Sequence, residues 1–395
     1  MNTAPPQWPR RPSPVLDWLI GAGRHLPTAQ DLVGALAERL VDAGVALFRV
    51  TFHLQTLHPQ LRAVAIIWRR GRPGVETVRV GHGIERTARY LNSPVRVLLE
   101  GAGGVRQRLD LPGVDFAFPI FDDLRAEGAT DYVGLPMTFS DGRVHGTTWT
   151  TDQPGGFTVE DLIRIDDLLP LVATILETRL TRRIARNLLD TYVGRHAGER
   201  ILAGQIIRGT GESVRAAIWY CDLRGFTAMT ESLPLERLIA SLNDYFECMA
   251  APLEHHDGEI LKFMGDGMLA IFPLDREDAY ERALRAALEA QHAMAQLNER
   301  RRASDEPTLG FGIALHAGLV MYGNIGAPTR LDFTVIGPAV NQAVRIEALC
   351  RELGRQLLVS ATFRRHCPHE LVSLGRHVLR GVPEPAEIFA LPEAA

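Results

Sequence analysis

The chain has 395 residues, 46% of them hydrophobic and 23% charged, with Lys+Arg 43 against Asp+Glu 47 and a formal net charge of -4. That balance suits a globular protein of about two or three domains and lacks the basic excess that a nucleic-acid partner demands. No stretch is long and uncharged enough to span a bilayer, and four scattered cysteines cannot staple a chain of this size, so it reads as cytoplasmic with reduced thiols.

Residues 1–14 are rich in proline, carry arginines and have no apolar core behind them, which predicts a disordered tail rather than a secretory signal. Residues 15–185 read as a mixed α/β domain. Val33, Leu36, Leu40 and Val41 mark a helix, and strand-like runs follow at Ala46–Leu54, Ala63–Trp68, Asp131–Met137 and Gly146–Thr151. Thr158 has the character of an N-cap, with Asp161 three residues on, and opens a long apolar-striped helix that Pro170 kinks or begins. His53, His82 and His145 are isolated, and a lone histidine is more often a core or surface residue than a metal ligand. Residues 186–214, broken by glycines and arginines, read as a connector that acts as a hinge or transmits a signal.

Residues 215–395 predict strand, helix, two strands joined by a turn, helix, three strands (Leu309–His316, Leu319–Gly323 and Asp332–Ile336) and a final helix from Ala339 to Leu353. That order fits the split βαβ arrangement of a ferredoxin-like βαββαβ sheet, an α+β fold. Three short segments in it carry chemistry. Asp222 follows a buried strand in Cys-Asp-Leu-Arg-Gly-Phe-Thr, where a turn or cap is the plainer reading. Lys262-Phe263-Met264-Gly265-Asp266-Gly267 puts an aspartate at a hairpin tip and a lysine in an otherwise apolar strand, where an edge lysine that blocks aggregation is the plainer reading. Asn341 and Arg345, four apart, share one helix face and alone suit a solvated surface. Taken together, the two aspartates can hold a pair of Mg²⁺ ions against a triphosphate, and an arginine on a nearby helix can neutralise charge at a transferred phosphorus.

With these segments in view, Arg215–Leu391 closely resembles the class III adenylate and guanylate cyclases. The resemblance implies that Asp222 and Asp266 bind two ions, Mg²⁺ or Mn²⁺. It implies that Lys262 and Thr334, the latter seven residues before Asn341, read the purine. Asn341 is then the residue that orients the ribose, and Arg345 the one that stabilises the transition state. A basic residue near the C-terminus usually helps to hold the triphosphate, and Arg380 is the candidate. Lysine is donor-only and suits adenine N1, where guanine presents a donor, so position 262 favours ATP over GTP. The family's sites are shared between two catalytic domains, which implies a homodimer. A guanylate cyclase and a non-catalytic nucleotide-binding regulator are the alternatives. A Gly-Gly-Asp/Glu-Glu-Phe hairpin and a P-loop are absent from the sequence. Residues 130–177 resemble the second half of a GAF domain, which implies a sensory module for an unidentified small ligand.

Overall fold

The computed structural model describes residues 13–392, so the expected disorder of the tail lies outside the described residues for positions 1–12. Ser13 and Pro14 depart from that expectation. Ser13 accepts from the Leu16 amide and caps helix α1, Pro14–Ile20, with Pro14 at its first turn. The chain divides into two compact units after Leu188.

The first unit holds α2 (Ala29–Asp42), strands β1 (Arg49–Gln55), β2 (Leu61–Arg69) and β3 (Val75–Gly81), and short helices α3 (Ala88–Leu91) and α4 (Pro94–Leu99). β4 (Val105–Arg108), α5 (Pro119–Ala126), β5 (Asp131–Thr138), β6 (Val144–Thr151) and α6 (Val159–Val193) complete its elements. Its sheet runs β3-β2-β1-β6-β5-β4, and every neighbouring pair is antiparallel. The core forms where α2 and α6 lay Leu32, Leu36, Leu40, Val172 and Leu176 against Phe52 and Trp149. Sequence pattern predicts β1, β2, β5 and β6 but misses β3 and β4. Most β3 residues are exposed, so it lacks the apolar alternation that marks a strand.

The expected cap is present: Thr158 Oγ1 accepts from the Asp161 amide while Asp161 accepts from the Thr158 amide. Pro170 lies inside α6 and not in its first turns. His145 is a core residue whose Nδ1 accepts from the Gln55 amide and whose ring lies 3.9 Å from that of Phe139. Burial holds it well below the usual imidazole range.

The second unit begins with the end of α6 and with α7, Arg195–Leu202. The connector is therefore not a free hinge throughout. Arg200 of α7 pairs with Glu212 and lies over the Tyr322 ring, and the Tyr322 hydroxyl donates to buried Glu259. Next come β7 (Gly211–Arg224), α8 (Phe226–Ser232), α9 (Leu235–His255), β8 (Glu259–Met264), β9 (Gly267–Pro273) and α10 (Ala279–Ala303). β10 (Gly310–Ala327), β11 (Arg330–Ile336), α11 (Pro338–Glu352), β12 (Leu357–Ser360), α12 (Ala361–Arg364), β13 (Val372–His377) and β14 (Ala386–Ala390) follow.

Two boundaries differ from expectation. The first strand, expected within residues 215–395, already starts at Gly211, and the two strands expected over 309–323 are one. β10 is a continuous strand of 18 residues because β7 pairs with it from Gly310 to Gly323, straight through Gly318.

The sheet order is β13-β14-β12-β10-β7-β9-β8, with β11 on the outer half of β10. Its central part, β10-β7-β9-β8, has the split βαβ order expected, so the fold is α+β. Alternation along β7 assigns its faces. Ala217, Trp219 and Cys221 pack with Tyr245, Met249 and Met294 of α9 and α10. Ala216, Ile218 and Tyr220 face the other way, among Val335 of β11 and Ala343 of α11. Among the described residues no helix is long and apolar enough to cross a membrane. All four cysteines are free.

Phe272 is 1% exposed and its ring fills the space above Gly258. Phe272→Ala should cost about 3–5 kcal/mol, read as a lowered urea midpoint for the transition of the second unit.

Candidate active site

Asp222 is the last even-numbered residue of β7 before Arg224, and so shares the face of Ile218 and Tyr220, away from α9 and α10. Its cross-strand neighbours are Gly267 on β9 and Gly312 on β10. Neither has a side chain, and the space above them is taken by the Tyr220 hydroxyl and the Glu347 carboxyl.

Asp266 reaches the same place from the β8–β9 turn. Met264 pairs with Gly267, so the turn residues are Gly265 and Asp266, and Gly267 is already strand. The aspartate expected at the hairpin tip is thus the second residue of a Gly-Asp turn pair. Gly265 has φ 68°, a conformation that glycine adopts freely and that suits the first position of a two-residue hairpin. The two carboxyl groups hydrogen-bond one another, and Asp222 also accepts from the Leu223 amide at 3.1 Å. Burial, then the charge and hydrogen bond of Asp266, push Asp222 above the usual carboxylate range.

A third carboxyl group, which the sequence reading missed, stands behind the pair. Glu347 of α11 is 8% exposed, and a Cβ at Gly312 would overlap its carboxyl. Burial first, then the charge of Asp222, push it up to about 7, against an opposing pull from Arg224. A signal was available: Ala343, Ile346, Glu347 and Cys350 have the spacing of a buried helix stripe, with one acid among apolar residues.

The other predicted residues fall into two groups. Lys262 lies half-buried on β8, the edge strand of the sheet, and Thr334 lies on β11, which packs near β8. Thr334 is 3% exposed, and its hydroxyl has no hydrogen-bond partner among the described residues. A buried hydroxyl left unpaired is costly, which makes it a waiting contact for a polar ligand atom. Asn341 and Arg345, one turn apart on α11, line a cleft of about 530 Å³ together with Gly337, Pro338 and Gly381. Pro338 takes the first position of α11, where it is tolerated. Arg380 is exposed and does not line that cleft, although a Cβ on its neighbour Gly381 would lie 3.4 Å from the Arg345 guanidinium. Asp222, Asp266, Lys262 and Thr334 are not among the lining residues of the cleft either.

Two carboxylates in hydrogen-bond contact need a proton or a cation between them, so this pair fits a divalent metal. Other acid and histidine clusters do not. His255 and His256 both bond Glu289 of α10, at 2.8 and 3.0 Å. His366 stacks on Tyr280. Among the described residues no group of three or more such side chains has the arrangement of a metal site.

Glu347 yields a stability prediction. A carboxyl whose pKa is raised on folding holds its proton more tightly folded than unfolded. Its contribution is therefore complete below the unfolded value and is lost as pH rises through about 7. Without divalent metal, Glu347→Gln should raise the melting temperature at pH 8 by roughly 2–4 °C, the shift expected of about 1 kcal/mol. The gain over wild type should vanish at pH 4.5. An equal gain at both pH values would show that the carboxyl is not the titrating group.

Comparison with known proteins agrees with this architecture. Residues 211–390 match the family described as Adenylate and Guanylate cyclase catalytic domain. An adenylate cyclase of Anabaena cylindrica is 36% identical over 166 residues, which cover 40% of this chain and 32% of that protein. An uncharacterized protein of Mycobacterium tuberculosis (strain ATCC 25618 / H37Rv) is 32% identical over 241 residues, 60% of this chain and 41% of its own length. The chain thus matches well under half the length of these curated relatives. The crystal structure of the guanylyl cyclase Cya2 is 32% identical, with 45% of this chain and 92% of that one covered and a TM-score of 0.41. Residues 211–390 are therefore similar to the catalytic domain of the adenylate and guanylate cyclases.

Proposed function

We propose that the chain is an adenylate cyclase that converts ATP to 3′,5′-cyclic AMP and pyrophosphate, working as a homodimer with composite sites. The observation that carries this reading is the mutually hydrogen-bonded pair Asp222 and Asp266, set on a glycine-flanked sheet face in a cyclase-family domain. Two Mg²⁺ or Mn²⁺ ions held by this pair would acidify the attacking ribose hydroxyl and neutralise the triphosphate.

The protein groups divide the remaining work. Asn341 orients the ribose so that the 3′-oxygen lies in line with the α-phosphorus as the bond to pyrophosphate breaks. Arg345, beside it on α11, donates to the oxygens of the five-coordinate phosphorus. Arg380, one residue from the glycine against Arg345, is the candidate for the triphosphate tail. Lys262 donates to adenine N1, and the unpartnered Thr334 hydroxyl accepts from the 6-amino group. Aspartates and Asn341 with Arg345 line separate places within one chain, which supports completion of each site by a second copy.

The first unit is read as a GAF-like sensory domain that regulates the cyclase through an unidentified small ligand. Its six-stranded antiparallel sheet supports that reading. Free thiols fit a reducing, cytoplasmic setting.

The test is product formation by the purified chain from ATP or GTP with Mg²⁺ or Mn²⁺. Cyclic AMP should form from ATP and disappear in Asp266→Ala, and Arg345→Ala should lower kcat by about 10²–10³-fold. Cyclic GMP as the main product would make the chain a guanylate cyclase, and nucleotide binding without turnover would leave it a regulator. Lys262→Glu should cut kcat/KM for ATP by at least about tenfold, because the lost donor leaves adenine N1 facing a carboxylate. An unchanged preference in that variant would remove Lys262 from purine reading.

A further inference from the structure

A second cleft opens beside the first along α11, sharing Gln342 with it but none of the proposed catalytic residues. Its volume is about 390 Å³, in the range of small-ligand sites. Its floor is apolar, with Ile346 of α11 and Leu379, which are 1% and 2% exposed. Its rim carries Arg365, just past α12, and Arg376 of β13. Neither guanidinium has an ion pair or hydrogen bond within the described residues, so both remain available to a ligand.

The polar groups between rim and floor are ordered by the protein itself. His316 is 5% exposed on β10, and Thr362 contacts its Nδ1 at 3.3 Å. Gln342 reaches the same ring from α11. Burial keeps His316 neutral at ordinary pH, so it adds hydrogen-bonding capacity and no charge. Glu387 is the one acid on the rim. It lies cross-strand from Arg376 and accepts from Ser373.

We propose that this cleft binds a small organic phosphate, with the phosphoryl group between Arg365 and Arg376 and an apolar or planar body over Ile346 and Leu379. Guanidinium groups match phosphate oxygens in geometry as well as in charge, and two that lack protein partners over a preformed apolar floor meet both halves of such a molecule. Two solvated surface arginines are the plainer alternative, but they do not account for the apolar floor or for the fixed Thr362, His316 and Gln342 beneath them. Gln342 lines this cleft and also the one that holds Asn341 and Arg345, so an occupant would touch the helix of the proposed catalytic groups.

The test is direct calorimetric binding of phenyl phosphate to the full chain. Inorganic phosphate and phenol serve as the separate halves. One phenyl phosphate should bind per chain, and each half alone should bind at least about tenfold more weakly. The double variant Arg365→Ala/Arg376→Ala should lose at least about tenfold in affinity, whereas Arg365→Lys/Arg376→Lys should lose less, having kept the charge but not the fork. Both side chains are exposed, so neither variant disturbs the core. Arg345→Ala should bind as wild type does. No heat up to roughly 10 mM ligand would overturn the proposal, as would equal affinity in the double alanine variant. Loss of binding in Arg345→Ala alone would also overturn it, by moving the ligand to the other cleft. None of these readings depends on cyclase turnover, so the proposal and the assigned activity can fail separately.

Discussion

Two carboxylates held against each other on a sheet face repel unless a proton or a cation lies between them, and the second unit is arranged around that repulsion. Burial strengthens it, since a charge withdrawn from water has less solvent to screen it. Asp222 and Asp266 share a hydrogen bond, and Glu347 stands close enough for its own ionisation to be opposed by both. Three acids so placed make an electrostatic sink for positive charge. The fold supports the cost through the strong pairing of β7 with β9 and β10, which fixes the backbone on both sides of Asp222.

Helix α11 divides its labour by face. Ala343, Ile346 and Cys350 are core, and Glu347 extends that buried stripe toward the aspartates. Asn341 and Arg345 point to one cleft, and Gln342 and Ile346 meet another. A rigid helix in three environments couples them geometrically, because a shift of its axis moves every face at once.

Much of this arrangement was legible in the sequence, since its signals were local. Asp222 beside an apolar strand run (β7 in fact continues through it), Gly265-Asp266 between two strands, and Asn341 with Arg345 at helical spacing could each be read from neighbours in the chain. The split βαβ order followed from the alternation of strands and helices. What was hidden depends on distant partners. β3 shows no apolar alternation because most of it faces solvent. The continuity of β10 through Gly318 comes from its pairing with β7, which no local pattern at a glycine can announce. Glu347 was missed for the same reason: its burial depends on the empty space at Gly312, some thirty-five residues earlier in the chain. Arg380 was named because the family usually has a basic residue near its C-terminus, and its neighbour Gly381 lines the cleft with Asn341 and Arg345.

The glycine at position 312 bears on how this sequence can diverge. It carries no chemistry, yet any larger residue there meets the Glu347 carboxyl, and Cys350 beyond it. The two positions are therefore bound as a pair: a bulkier side chain on the strand becomes acceptable only after the helix has given up its long acid for a shorter residue. Each change alone is penalised, and the double change relieves the Glu347 overlap while leaving the close approach to Cys350, a form of epistasis set by volume rather than by catalysis. Lineages that took that double step would leave the carboxylate pair without its third neighbour, and would meet the pH of their surroundings with a different set of charges.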